Sequence, residues 1–206
     1  MSTTIQTKPA ISNSRGMSTH VGRRGIVARE SLMTVEQWAD LPDVKPPYEL
    51  IGGTLIQKMV TTNEHDWAIS EFMFACKTWA QTSGWRFFSQ GSGARFGEHD
   101  AFIPDAMGFA PDAKLDAKGT YNAPPFIAVE VLSRGTKSLD RREKKATYAR
   151  SGVAIYVIID LEKRTMEVHQ LNNGVYAAAQ VLMRGDRWQP DEMPGLRVEL
   201  NRLWFQ

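Results

Sequence analysis

Two carboxylates stand where apolar neighbours are expected. Asp105 follows Pro104 at the head of Ala106-Met107-Gly108-Phe109-Ala110, and Glu130 interrupts the run from Phe126 to Leu132. A carboxylate inside a strand-like apolar run costs free energy unless it is paired or binds a cation. Downstream, Arg134, Lys137, Arg141, Arg142, Lys144, Lys145 and Arg150 are opposed only by Asp140 and Glu143. Two acids on neighbouring strands followed by a lysine-rich helix fit a hard divalent metal with a cationic helper. Such an ion takes oxygen ligands and retains waters. It can neutralise a phosphate and make a water nucleophilic. Plainer roles stand beside these: Asp105 can cap a turn, and Glu130 can pair with Lys144 or Arg141. The basic stretch is either a phosphate-tracking patch or a solvated helix face.

The elements that must position these groups are legible from local signals. Thr34-Val35-Glu36-Gln37 fits a capping box, so a short helix should run through Ala39 and stop before Pro42. Tyr48 to Ile51, Gly52-Gly53 and Thr54 to Met59 read as a β-hairpin. Residues 64–82 are the clearest helix, with Ile69, Phe72, Met73, Cys76, Trp79 and Ala80 on one stripe. That stripe, Cys76 included, reads as core. Short strands are expected at 85–88, at 93–96 and after Ile103, then a proline-bearing loop over 111–125. Asp140 with Glu143 reads as a helix N-cap, and the helix should end at Ser151-Gly152. Residues 154–160 form a buried strand by their β-branched content. Thr165 to Leu171 alternates, and Asn172-Asn173-Gly174 turns the chain into Val175-Tyr176. The tail from Leu196 to Phe205 should add a strand and a helical turn.

The ordered set of motifs resembles the PD-(D/E)XK nuclease superfamily. Within it the chain is similar to the Uma-two family of restriction-endonuclease-like proteins. The matching residues are Tyr48-Glu49-Leu50-Ile51-Gly52-Gly53, Pro104-Asp105, Pro124-Pro125 with Glu130-Val131-Leu132-Ser133, and Asp140 with Lys144, Tyr148, Gly152 and Val153. The resemblance covers about residues 32–171. One position departs from the superfamily: Leu132 stands two residues after Glu130, where the motif has lysine.

The resemblance implies an α/β (α+β) fold with a restriction-endonuclease-like mixed β-sheet flanked by helices and a C-terminal β-hairpin. It implies a Mg²⁺-dependent (or Mn²⁺-dependent) endonuclease that hydrolyses DNA with a metal-activated water. Asp105, Glu130, Glu49 and the backbone carbonyl of Val131 would hold the metal. Lys144 would replace the motif lysine from the following helix, sharing a face with Tyr148 and Ser151. His65, Arg134, Arg141 and Tyr148 are candidates for contact with substrate. For His65 the alternative is a helix-terminal histidine satisfied locally. Many such nucleases cut two strands as dimers, so a homodimer is expected.

Composition sets the outer limits. The chain has 206 residues, 42% hydrophobic and 23% charged, ordinary for a globular domain. A single cysteine excludes an internal disulfide and a cysteine zinc site, which points to the cytoplasm. No apolar run reaches the ~20 residues of a membrane span. Residues 1–30 read as a disordered basic arm and 31–206 as one nuclease-like domain. The arm is either a nucleic-acid contact, a transit-like segment or an incidental extension, with Met17 and Met33 as alternative starts. The arm has a net charge of +4, so the remainder carries −2 of the total +2. A broad basic DNA-binding face is therefore not supported. Leu132 and that negative balance leave a second reading open: a nuclease-fold module that binds DNA or assembles without cutting. No nucleophile elbow, P-loop or dinucleotide fingerprint supports another class.

Overall fold

The computed structural model describes residues 32–42, 45–89, 91–115, 122–133 and 137–205. The basic arm of residues 1–30, Arg134 and part of the 111–125 loop lie outside these residues.

Helix α1 (Val35–Ala39) begins at Thr34, and both halves of the capping box with Gln37 are formed. Strands β1 (Tyr48–Ile51) and β2 (Thr54–Gln57) pair antiparallel through Gly52 and Gly53. Both glycines have positive φ, 54° and 78°, which a two-residue turn of this hand requires. Helix α2 (Asn63–Ser83) is capped by the Thr62 hydroxyl and closed by Gly84 at φ 75°. Its buried stripe runs from His65 through Ala68, Ile69, Phe72, Met73 and Cys76. Burial raises the Cys76 thiol pKa far above its usual value, which keeps it an inert core group.

Strands β3 (Arg86–Ser89), β4 (Ala94–Arg95), β5 (Ala101–Phe102), β6 (Ala106–Phe109) and β7 (Ile127–Val131) follow. A helical segment then runs through α3 (Lys137–Leu139), a π-helical turn (Asp140–Lys144) and α4 (Lys145–Arg150). It ends at Ser151, with Gly152 at φ 81°. This segment crosses from β7 to β8 (Ile155–Asp160), which pair in parallel. Strands β9 (Thr165–Asn172), β10 (Val175–Tyr176), β11 (Gln180–Met183), β12 (Arg187–Trp188) and β13 (Val198–Glu199) complete the set, before a 3₁₀ turn at Leu200–Arg202. The strands β5, β11 and β12 are additions to the expected pattern. Residues 180–183 are mostly exposed, so they carry no strong apolar alternation.

The central sheet has the order β10-β9-β8-β7-β6-β3, with β11 also on β9. A smaller sheet has the order β2-β1-β5-β4, and β12 pairs with β13. The central sheet separates two cores. Ile127, Val129 and Val131 of β7 face α2 and the C-terminal strands. Ala128 of the same strand faces Phe102, Met107, Tyr148 and Tyr156. Period-two alternation therefore turns Glu130 toward the second core, beneath the helical segment. Gly108 lets β6 approach its neighbours: a Cβ there would lie 2.5 Å from Phe87 and 2.7 Å from Ile127.

Asp140 does not cap a helix. The segment already starts at Lys137, and Asp140 is buried within the π turn, four residues from Lys144. Among the described residues, no helix is long and apolar enough to cross a membrane.

Candidate functional site

Register puts the two strand carboxylates side by side. Ala106 of β6 pairs with Val129 of β7 antiparallel, so Asp105 and Glu130 are the next residues outward on each strand. Asp105 also accepts a hydrogen bond from the Val131 amide at 2.9 Å, which ties the two strand ends together. The turn that carries Asp105 joins the small sheet to the central one. Glu49 of β1 accepts the Ile103 amide at 2.8 Å and so enters the same place from the small sheet.

Lys144 arrives from the helical segment. Its Nζ lies 2.9 Å from Glu130 Oε1, 3.0 Å from Glu49 and 3.5 Å from Asp140. The π turn is the local reason: its wider coil turns both Asp140 and Lys144 inward, and such bulges recur at functional sites. Tyr148, one turn on, donates to Glu130 Oε1 at 2.8 Å. Ser151 also faces inward, donating to the Phe96 carbonyl. The neighbouring Lys145 is only partly buried, whereas Lys144 is 2% exposed.

Asp105 has its own partners. Lys58 Nζ lies 3.0 Å from Oδ1 and donates to the Ile103 carbonyl at 2.6 Å. His65 Nε2 lies 3.0 Å from Oδ2. His65 sits in the first turn of α2, where its backbone amide bonds the Thr62 hydroxyl, so the cap aims the ring at Asp105. Glu49, Lys58, His65, Asp105, Glu130 and Lys144 share the wall of one cavity of about 490 Å³.

The electrostatics follow from burial. Burial pushes the Glu130 carboxyl up to about 8, and the charges of Asp105 and Asp140 push the same way against the pull of Lys144. Burial also raises Asp105, but the Lys58 ammonium, His65 and the Val131 amide outweigh it and hold Asp105 well below the usual carboxylate range. Burial lowers Lys144, yet Glu130, Glu49, Asp140 and Asp105 together raise it well above the usual ammonium value. Four acids, Glu49, Asp105, Glu130 and Asp140, thus stand around two lysines, Lys58 and Lys144.

The donor chemistry suits a hard divalent cation: buried carboxylates with excess negative charge around an open cavity. Among the described residues, no three Asp, Glu, His or Cys side chains form a ready ligand set. Lys144 bridges Glu49 and Glu130, and Lys58 stands on Asp105.

The remaining expected contacts fall elsewhere. Tyr148 is fully buried, and its hydroxyl donates to Glu130. Arg141 makes a bidentate pair with Glu167 at 2.7 and 2.8 Å and reaches Asp160 at 3.3 Å. Lys137 pairs with Glu162, Arg142 with the Ser138 hydroxyl and Arg150 with Asp100. Among the described residues, Lys137, Arg141, Arg142 and Arg150 of the basic stretch thus each have a local partner. Lys58 and Asp140 were missed as site residues. Lys58 sits just past an exposed strand end, and nothing in its neighbours' types signals burial.

The profile of the Uma2 family, described as "Putative restriction endonuclease", matches residues 35–201. This chain belongs to the Uma2 family. The Uma2 match takes in every site residue from Glu49 to Tyr148. The fold is also that of the "putative nuclease belonging to DUF820" from Anabaena variabilis ATCC 29413. Its crystal structure aligns with a TM-score of 0.71 at 19% identity, covering 83% of this chain and 97% of that one. No curated protein matches the sequence.

Proposed function

We propose that this Uma2 protein is a metal-dependent endonuclease that hydrolyses DNA phosphodiester bonds. The observation that carries the reading is Lys144 Nζ, 2.9 Å from Glu130 and 3.0 Å from Glu49 at the cavity wall. On this reading Lys144 would supply from the helix the ammonium that Leu132 cannot. Asp105, Glu130, Glu49 and the Val131 carbonyl would hold Mg²⁺ or Mn²⁺. An ion held there would neutralise phosphate charge and make a water more acidic. Lys144 orients the attacking water and stabilises charge developing on the phosphate. Glu49 holds Lys144 in reach, and Tyr148 fixes the rotamer of Glu130. His65, bonded to Asp105, fixes that carboxylate. The domain reading extends over residues 31–206, working in the cytoplasm as a homodimer that presents two sites to two strands.

The test is nicking of supercoiled plasmid in Mg²⁺ or Mn²⁺ by the wild type, Asp105→Asn and Lys144→Met. Cleavage by the wild type alone supports the reading. Equal cleavage by all three would assign it to a contaminant. A second reading, a module that binds DNA without cutting, is favoured by the Lys58–Asp105 pair, which fills one carboxylate oxygen. Metal-independent DNA retention without nicking would select it.

A further inference from the structure

The two oxygens of Asp105 are held by different elements. Oδ2 is held by the Val131 amide at 2.9 Å and by His65 Nε2 at 3.0 Å. Both come from regular elements, β7 and the first turn of α2, so this half of the carboxylate is anchored. Oδ1 faces Lys58 at 3.0 Å. Lys58 follows β2 at the open side of the cavity, and its side chain is 16% exposed, against 2% for Lys144. Lys144 is enclosed by acids on three elements, whereas Lys58 has one acid and one carbonyl, Ile103, at 2.6 Å. Of the two ammonium groups, Lys58 is the one with a route to water. A long, flexible lysine stem makes such a move inexpensive in strain.

We infer that Lys58 is a displaceable counter-ion: it neutralises Asp105 Oδ1 until a divalent cation binds, and it must leave that oxygen for the cation to take it. This rests on the metal-dependent reading above and adds a regulating residue to it. A buried carboxylate without a cation would be costly, so Lys58 keeps the empty site folded. The same ion pair competes with the metal, which sets affinity lower than the carboxylates alone would give. His65 and the Val131 amide keep Asp105 in place throughout, so displacement needs movement of one side chain only.

The experiment is calorimetric titration of Mn²⁺ into the full-length wild type, Lys58→Met, Lys58→Gln and Asp105→Asn, each checked for folding by circular dichroism. Lys58→Gln removes the charge but can still donate to the Ile103 carbonyl, so it remains informative if the methionine variant does not fold. The expected result is Mn²⁺ binding at least about tenfold tighter in the Lys58 variants than in the wild type, and absent in Asp105→Asn. Wild-type affinity in a folded Lys58 variant would overturn the counter-ion while leaving the metal reading intact. Weaker binding in the Lys58 variants would overturn it as well, making Lys58 a support for the site. Binding undiminished in Asp105→Asn, or absent from every variant, would overturn both this inference and Asp105 as a metal ligand.

Discussion

Lys144 Nζ and Glu130 Oε1 are 2.9 Å apart, although one belongs to a π-helical turn and the other to the strand before it. The pair is buried on both sides, and Glu49 joins it from a different sheet. Three elements are thus pinned at one ammonium.

Lys144→Met should therefore lose on two scales. Plasmid nicking is expected to fall by about 10²–10³, the size typical for removing one preorganised charge-stabilising group. Unfolding in urea should show a loss of about 3–5 kcal/mol, because breaking a buried pair leaves charge uncompensated. Unchanged stability with lost cleavage would show that the pair is not retained in solution.

Tyr148→Phe removes only the hydroxyl that donates to Glu130 at 2.8 Å. The ring contacts with Phe96, Phe102 and Tyr156 remain. A stability loss of about 1–2 kcal/mol is expected from the buried acceptor left with fewer donors, with cleavage reduced less than in Lys144→Met. Cleavage abolished at unchanged stability would assign Tyr148 a direct chemical role.

Stability should depend on pH in two opposite directions. Glu130 titrates near 8 when folded against an ordinary 4.5, so the folded state holds this proton more tightly. Between those values its contribution falls as pH rises. Asp105 is lowered from 3.8, so its contribution is present above that value and is lost as pH falls through the acid range. In metal-free protein, the wild type should lose stability relative to Glu130→Gln between about pH 5 and 8. Urea unfolding across that window measures it, and a difference that stays constant would refute a raised Glu130.

Gly108→Ala should destabilise by about 1–3 kcal/mol through overpacking, since the added Cβ meets Phe87 at 2.5 Å and Ile127 at 2.7 Å. Neither strand can withdraw without opening the β3-β6-β7 ladder that carries Asp105 and Glu130. Thermal unfolding checks this, and a neutral substitution would mean that the two side chains repack.

Local chemistry was readable from the sequence. The Thr34 capping box, the Gly52-Gly53 and Asn173-Gly174 turns, the stripe of α2 and the buried strand β8 all depend on neighbours a few residues away, and all appear as expected. Asp105 and Glu130 stand out in the sequence as acids in apolar runs, and Lys144 by motif order; the structure brings Lys144 against Glu130, which lies next to Asp105 across the β6–β7 ladder. Tertiary structure alone decided the partners. Whether Arg141 meets a phosphate or Glu167, and whether Lys58 is solvated or on Asp105, depends on which charges packing brings within 3 Å across 26 and 47 residues of chain. The π turn that aims Asp140 and Lys144 inward has no sequence signature, since it is selected by the buried pairs it allows. Coulomb energy varies with separation and burial, neither of which is written in residue order.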